Sequence, residues 1–356
     1  MPVAAPENRR PRVSVFTVTF NDRHNLEGLL PSLMRQTESP LEVVVVDNAS
    51  SDGSADYVSR EFPMIRVLRN STNIGFCAAS NVGFGATSGR FVFNINPDTE
   101  LEPDAVEVLA DALEARPGAA MVTPKICYLG VPDRINTCGN AIHVSGFGSC
   151  IGLNRPRTDF SAPLQVASVS GCAYMARREV LEAIGGLDEG YFMYVDDTDI
   201  SLRARLAGHE IWYIADAVVY HRYNMNLSPW KFGLLERNRA ATLAKNLRWS
   251  TLVLLSPALL TTEVLMWAYA GIRGVEFLRA KGQAYRWLAR NQLRLRRRHA
   301  EMQRLRQVGD RELLAWMESR INLTEALPSR WLVAGARTVT GWLFSVLRLP
   351  ARLLAR

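Results

Sequence analysis

Apolar residues in the first hundred positions fall into short unbroken runs, each closed by polar or turn-forming residues. Residues 13–20 are rich in valine, threonine and phenylalanine, which predicts a buried strand. Leu26, Leu29, Leu30, Leu33 and Met34 then recur at helical spacing, so a helix comes next, with Asn21 or Asp22 able to cap it. Residues 41–46 form a second apolar run, continuous rather than alternating, as in a strand covered on both faces. The turn-forming stretch 47–54 leads into another helix. Residues 65–68 predict a third strand, 76–88 an Ala/Gly-rich helix, and Phe91–Ile95 a fourth strand. Pro103 and Gly118 bracket one more helix. This alternation predicts an α/β fold, Rossmann-like, with a mostly parallel sheet flanked by helices.

From residue 229 the pattern changes. Residues 252–272 are a 21-residue apolar stretch, long enough to cross a bilayer but interrupted by Pro257 and by Glu263 near its middle. A carboxylate at mid-bilayer costs roughly 3 kcal/mol, so the stretch either spans or only enters the membrane surface. Residues 286–306 are Arg-rich, with Trp287 among them. Next, Arg330, Arg337, Arg348 and Arg352 fall on one helical stripe and Trp331, Leu332, Val339, Trp342, Leu343 and Val346 on the other, with Pro350 interrupting the last turn. Arginine opposite Trp and Leu is the pattern of a helix lying on anionic lipid. Residues 12–228 therefore read as one α/β domain and 229–356 as a basic, helical, membrane-associating region. The first 11 residues read as a disordered N-terminus without the apolar core of a signal peptide.

Charge sharpens that division. Residues 1–225 hold 19 Lys+Arg against 27 Asp+Glu, a net of −8, whereas residues 226–356 hold 23 against 8, a net of +15. A basic tail beside an acidic body points to an anionic partner, and the apolar stretch favours lipid headgroups over nucleic acid. The five cysteines are odd in number and form no C-x-x-C pair, so they read as reduced, buried thiols of a cytosolic protein.

Ligands of open α/β sheets bind outside the carboxyl ends of the strands, where Asn21, Asp47 and Asp98 all fall. Asp47 can accept a nucleobase N–H or simply close its turn. Asp98, after Pro97, can ligate Mg²⁺ or Mn²⁺, or act as a turn residue. About a hundred residues later, Asp196, Asp197 and Asp199 form a tight acidic cluster. It reads either as a helix N-terminus favoured by the dipole or as a source of a general base whose pKa its neighbours lift. His221, at the end of a strand-like run, is either structural or a further metal or phosphate ligand. A metal-held diphosphate beside a base suits sugar transfer from a nucleotide-sugar.

In this order the pieces resemble glycosyltransferase family 2, inverting enzymes of GT-A fold, and in particular its bacterial rhamnosyltransferase-like branch. The matching stretches are residues 13–21, 46–54, 73–81, 94–98, 170–173 with Arg177 and Arg178, 185–199, and His221, covering about residues 12–225. The resemblance implies Asp47 at the nucleobase, with Thr19, Asn21, Asn73, Gly75 and Asn96 lining the nucleotide site. Asp98 stands in the family's metal-binding D-x-D position, where this chain has Asn96 as first polar member, so His221 is expected to share the cation. The family's Glu-Asp pair becomes Asp196-Asp197, with Asp197 expected as base and Asp196 its nearest competitor. The resemblance and the basic tail together imply a metal-dependent hexosyltransferase at the cytoplasmic face of the cell membrane, building cell-envelope polysaccharide. The expected donor is dTDP-rhamnose and the acceptor lipid-linked or a growing glycan. UDP-hexose, UDP-galactofuranose or GDP-mannose as donor, or a non-catalytic scaffold of the same fold, are the alternatives; oligomeric state is left open.

Overall fold

The apolar runs near the N-terminus become the centre of one large sheet. A computed structural model describes residues 11–39, 41–223, 226–320 and 330–355, with the backbone alone for 330–337 and 339. The first half runs β1 (Val13–Thr19), α1 (Arg23–Met34), β2 (Leu41–Asp47), α2 (Ser54–Glu61), β3 (Arg66–Arg69), α3 (Phe76–Ala86), β4 (Phe91–Ile95), β5 (Thr99–Leu101) and α4 (Ala105–Glu114). β1 and β4 are buried at every position, which explains their unbroken apolar sequences. Asp22 takes the N-cap place of α1, but its carboxylate accepts from Asn25 Nδ2 at 2.7 Å rather than from the helix backbone.

Beyond α4 come β6 (Ala119–Tyr128), β7 (Val131–Thr137), β8 (Asn140–His143), β9 (Gly148–Cys150), β10 (Leu164–Gln165), β11 (Ala173–Arg177), α5 (Arg178–Ala183), α6 (Asp196–Leu206) and β12 (Glu210–His221). The ten-stranded sheet is mixed. β3, β2, β1 and β4 are parallel, β11 lies antiparallel between β4 and β6, and β12 returns parallel to β6. β5, just past β4, pairs antiparallel with β12, Thr99 beside His221, so Asp98 comes to lie at the end of β12.

The C-terminal region is α7 (Pro229–Asn246), α8 (Trp249–Arg273), α9 (Val275–Arg290), α10 (Gln292–Leu305), α11 (Asp310–Ala315), β13 (Met317–Glu318), α12 (Arg330–Leu347) and α13 (Leu349–Leu354). α7 packs on α6 through a buried ion cluster. Lys245 reaches both Asp188 and Asp199, Asp199 also pairs with Arg203 at 3.0 Å, and Arg294 of α10 pairs with Asp188.

The long apolar stretch lies inside α8, which continues through Pro257. Glu263 is paired within the fold. Its carboxylate takes Arg239 Nη2 and Lys281 Nζ, both at 2.7 Å, and the Tyr285 hydroxyl, and these partners hold its pKa down at about 2. The stripe expected over 330–352 is broken: α12 stops at Leu347 and α13 starts at Leu349, with Pro350 in its first turn. Phe344 and Ala351 turn into a core cluster, and Arg348 donates to the Met317 carbonyl instead of pointing outward. Trp342, Val346 and Arg352 do face outward. The side chains of Arg330, Trp331, Leu332, Arg337 and Val339, and all of residues 1–10 of the expected N-terminal tail, lie outside the described residues. Four cysteines are buried; Cys150 is partly exposed.

Candidate active site

Strands β1 and β2 end in register, Thr19 beside Asp47, and the loops leaving them are stitched together. Asn21 holds a left-handed backbone, φ 53°, which lets its backbone N–H donate to Ser50 Oγ at 2.9 Å and its side-chain oxygen accept the Ser51 N–H at 2.7 Å. Asn48, Asn70 and Asn73 form a second mesh: Asn48 Nδ2 donates to Asn73 Oδ1 at 2.9 Å, and Asn73 Oδ1 also receives the Gly75 N–H at 2.9 Å. Asp47 Oδ2 accepts the Ser50 N–H at 3.3 Å, so the carboxylate does close its turn, but with one oxygen only.

The other oxygen of Asp47 is buried and bonds to none of the described residues. The same holds for Thr17 Oγ1, Thr19 Oγ1, Asn94 Oδ1, Asn96 Oδ1 and Asp98 Oδ1. Buried polar atoms are nearly always satisfied, and an unmet one costs about 1–3 kcal/mol. Thr17, Thr19 and Asp47 point to one face of the sheet and Asn94 to the other, so the six do not form one lining; Thr19, Asp47, Asn96 and Asp98 are the ones at or just past the strands' carboxyl ends, where ligands of such sheets bind.

Asp98 Oδ2 stands 3.3 Å from His221 Nε2, joining the ends of β4 and β12. His221 Nδ1 is 3.0 Å from Asn136 Oδ1, which fixes the ring. Burial disfavours the imidazolium, but Cys172 and Asp98 outweigh it and raise its pKa to about 10. An imidazole must shed that proton to bind a metal. The described residues bring together no three acidic, His or Cys groups able to hold an ion. One carboxylate with a free oxygen, one imidazole and the amide oxygen of Asn96 suit a hard cation such as Mg²⁺ or Mn²⁺, which draws its other ligands from phosphate and water.

The acidic cluster divides by helix geometry. Asp199 is fully buried in the ion cluster with Lys245 and Arg203, and despite burial these cations lower its pKa. Asp196, also turned inward, has its pKa pushed up to about 7 by burial and by Asp197. Asp197 is half-buried at the rim. Its Oδ1 accepts the Thr198 N–H at 2.7 Å, and its Oδ2 accepts Asn140 Nδ2 at 3.0 Å and the Gly171 N–H at 3.1 Å. Burial raises its pKa, against the pull of those bonds.

Residues 171–172 connect the two halves of the site. Gly171 N–H holds Asp197, while the Cys172 carbonyl accepts the Asn96 N–H at 2.8 Å and the Cys172 side chain touches His221. Asp197 and the Asn96–Asp98 turn thus flank one short segment. Gly75 packs instead against the loop that leads into the acidic cluster. A Cβ there would stand 2.5 Å from the Phe192 ring, and the Phe192 carbonyl accepts the Cys77 N–H at 3.0 Å.

Asn136 and Asn140 carried no signal in the sequence, since neither sits in a motif. Asp22 was read only as a cap, yet its partly buried carboxylate lies close enough to Asp98 to feel its charge. A groove of about 790 Å³ lined by Lys125, Asp133, Arg157 and Asp216 contains none of the acids discussed above.

Residues 14–185 match the family model described as Glycosyl transferase family 2. Among curated proteins, the chain is 28% identical over 234 residues to N-acetylglucosaminyl-diphospho-decaprenol L-rhamnosyltransferase of Mycobacterium tuberculosis, covering 58% of this chain and 75% of that protein. It is 25% identical over 232 residues to the O-antigen biosynthesis protein RfbC of Myxococcus xanthus, covering 62% of this chain but 18% of that one. Among solved structures it is similar to GalNAc-T7 with UDP, GalNAc and Mn²⁺, at 17% identity and a TM-score of 0.56, covering 67% of this chain and 48% of that chain. That likeness speaks to fold alone.

Proposed function

We propose that the chain, whose residues 14–185 match the model of Glycosyl transferase family 2, is an inverting rhamnosyltransferase of GT-A fold acting on a lipid-linked or polysaccharide acceptor in cell-envelope glycan synthesis. The carrying observation is the convergence of Asp197, Asp98 and His221 on residues 171–172, with unmet oxygens on Asn96 and Asp98 at the same turn. Likeness to the mycobacterial enzyme supports rhamnose, from dTDP-rhamnose, as the transferred sugar.

In this reading Asp47 and Thr19 receive the nucleobase, and Asn21, Asn73, Gly75 and Asn96 shape the nucleotide site. Asp98 and His221 would hold Mg²⁺ or Mn²⁺, whose charge offsets that of the departing diphosphate. Asp197 takes the proton from the acceptor hydroxyl, whose oxygen attacks the anomeric carbon as the nucleoside diphosphate leaves from the opposite face. A pKa raised by burial suits a group that must both accept and release that proton.

Residues 229–356 are proposed to rest on the cytoplasmic face of the membrane. α8 turns Val253, Leu260, Val264 and Trp267 outward along one side, the first three at 71, 65 and 68% exposure. Neutralising Glu263 within the protein supports a helix lying in the interface rather than crossing it.

A thermal-shift screen of dTDP-, UDP- and GDP-sugars with Mn²⁺ tests the donor. A ligand at a hundredfold over its Kd stabilises by about 2.7 kcal/mol. dTDP-rhamnose is expected to give the largest shift; a larger one with a UDP- or GDP-sugar refutes the donor assignment.

A further inference from the structure

The segment that delivers Asp196 and Asp197 is strained. Phe192, Tyr194 and Val195, none of them glycine, hold φ of 68°, 69° and 64°, and Val195 is β-branched, the residue type least at ease in that region. Such a backbone persists only where surrounding contacts impose it. One side chain of α7 does so. Asn238 is fully buried, and its Nδ2 donates to the carbonyls of Tyr191 at 3.2 Å, Met193 at 2.9 Å and Tyr194 at 3.0 Å. The left-handed turns aim these three carbonyls at that one amide. Arg237 completes the clamp: its Nε donates to Asn238 Oδ1 at 3.0 Å, and its Nη2 donates to the Tyr191 carbonyl at 2.7 Å.

We propose that Asn238, oriented by Arg237, is a positioning residue that holds the 192–195 loop in its strained form and so sets where Asp197 stands at the rim. It touches no substrate and acts through the loop backbone. With the amide gone, the Met193 and Tyr194 carbonyls lose this donor, the Tyr191 carbonyl keeps only Arg237, and the loop relaxes toward right-handed backbone. The first turn of α6, which begins at Asp196, then shifts with it. The role assumes that Asp197 performs the transfer step proposed above, but the clamp itself can be tested without that assumption.

The test is hydrogen–deuterium exchange on the full-length Asn238→Ala and Arg237→Gln variants. Exchange in peptides spanning 190–197 is expected to rise at least tenfold in both, while peptides over β1 and β2 stay within twofold of wild type. No change at 190–197, or a rise spread across the whole chain, overturns the proposal. Turnover of dTDP-rhamnose is expected to fall ten- to hundredfold in both variants, with affinity for dTDP and Mn²⁺ within threefold; a loss confined to KM also overturns it. A wild-type protein that does not turn over dTDP-rhamnose refutes the donor assignment instead, and the exchange result then decides for the clamp.

Discussion

Replacing Asp197 with Asn separates the chemical role of this carboxylate from its structural one. Three N–H groups converge on it, from Thr198, Asn140 and Gly171. In Asp197→Asn one oxygen becomes an NH₂. Facing Gly171, it meets a backbone donor that cannot turn away, although Asn140 can rotate its amide to accept. Facing Thr198, it meets the first turn of α6. Either way one N–H is left unpaired, at a cost of about 1–3 kcal/mol of stability. Loss of a general base costs about 10²–10⁴ in rate, or roughly 3–5 kcal/mol of barrier. The variant should therefore fold, bind nucleotide within a few-fold of wild type, and transfer sugar at least a hundred times more slowly. Initial transfer rates, calorimetric nucleotide affinity and the melting temperature read the three quantities separately. Turnover within threefold of wild type would refute the role, as would a rate loss matched by an equal loss of nucleotide affinity.

The pH dependence supplies an independent check on the pair. Both carboxyls hold their proton more tightly folded than unfolded, Asp196 up to about 7. The stability this contributes is complete below the unfolded pKa and lost as pH rises through about 7. Asp196→Asn should accordingly raise the melting temperature more at pH 8 than at pH 5.

Two further outcomes concern the C-terminal helices. Lys245→Met removes a buried cation from Asp188 and Asp199, which keep Arg294 and Arg203 respectively, so urea unfolding should show a loss of about 3 kcal/mol; less than 1 kcal/mol would contradict the role given to the cluster. Paired Leu260→Gln and Val264→Gln should weaken sedimentation with anionic vesicles by at least tenfold, because burying an apolar side chain is worth about 1.5–3 kcal/mol; unchanged binding would exclude α8 as the membrane face.

The sheet was legible because β1, β2 and β4 are covered on both faces and so read as unbroken apolar runs, each ended by the polar residues that now line the rim. β7 to β10 were not. They are two to seven residues long, and β7 begins with four exposed positions, so no period of two emerges. The acidic cluster was visible, but the fates of its members were not. Asp196 and Asp199 lie three apart and turn inward, whereas Asp197, about 100° round the helix from Asp196, reaches the rim. Glu263 looked like a charge stranded in lipid because Arg239 and Lys281, 24 and 18 positions away, meet it only once α7, α8 and α9 have packed.

That meeting bears on how the protein is made. While α8 leaves the ribosome, Lys281 is still inside the exit tunnel, so the machinery that threads apolar segments into membranes meets a helix whose central acid has Arg239 within reach but not yet Lys281. Once α9 emerges and folds back, pulling α8 sideways into lipid would strand Arg239 and Lys281 inside the protein. On the proposed membrane reading, the choice between threading and landing therefore falls in the short interval between the emergence of those two helices, and a delay in closing the cluster would leave the nascent chain open to misinsertion.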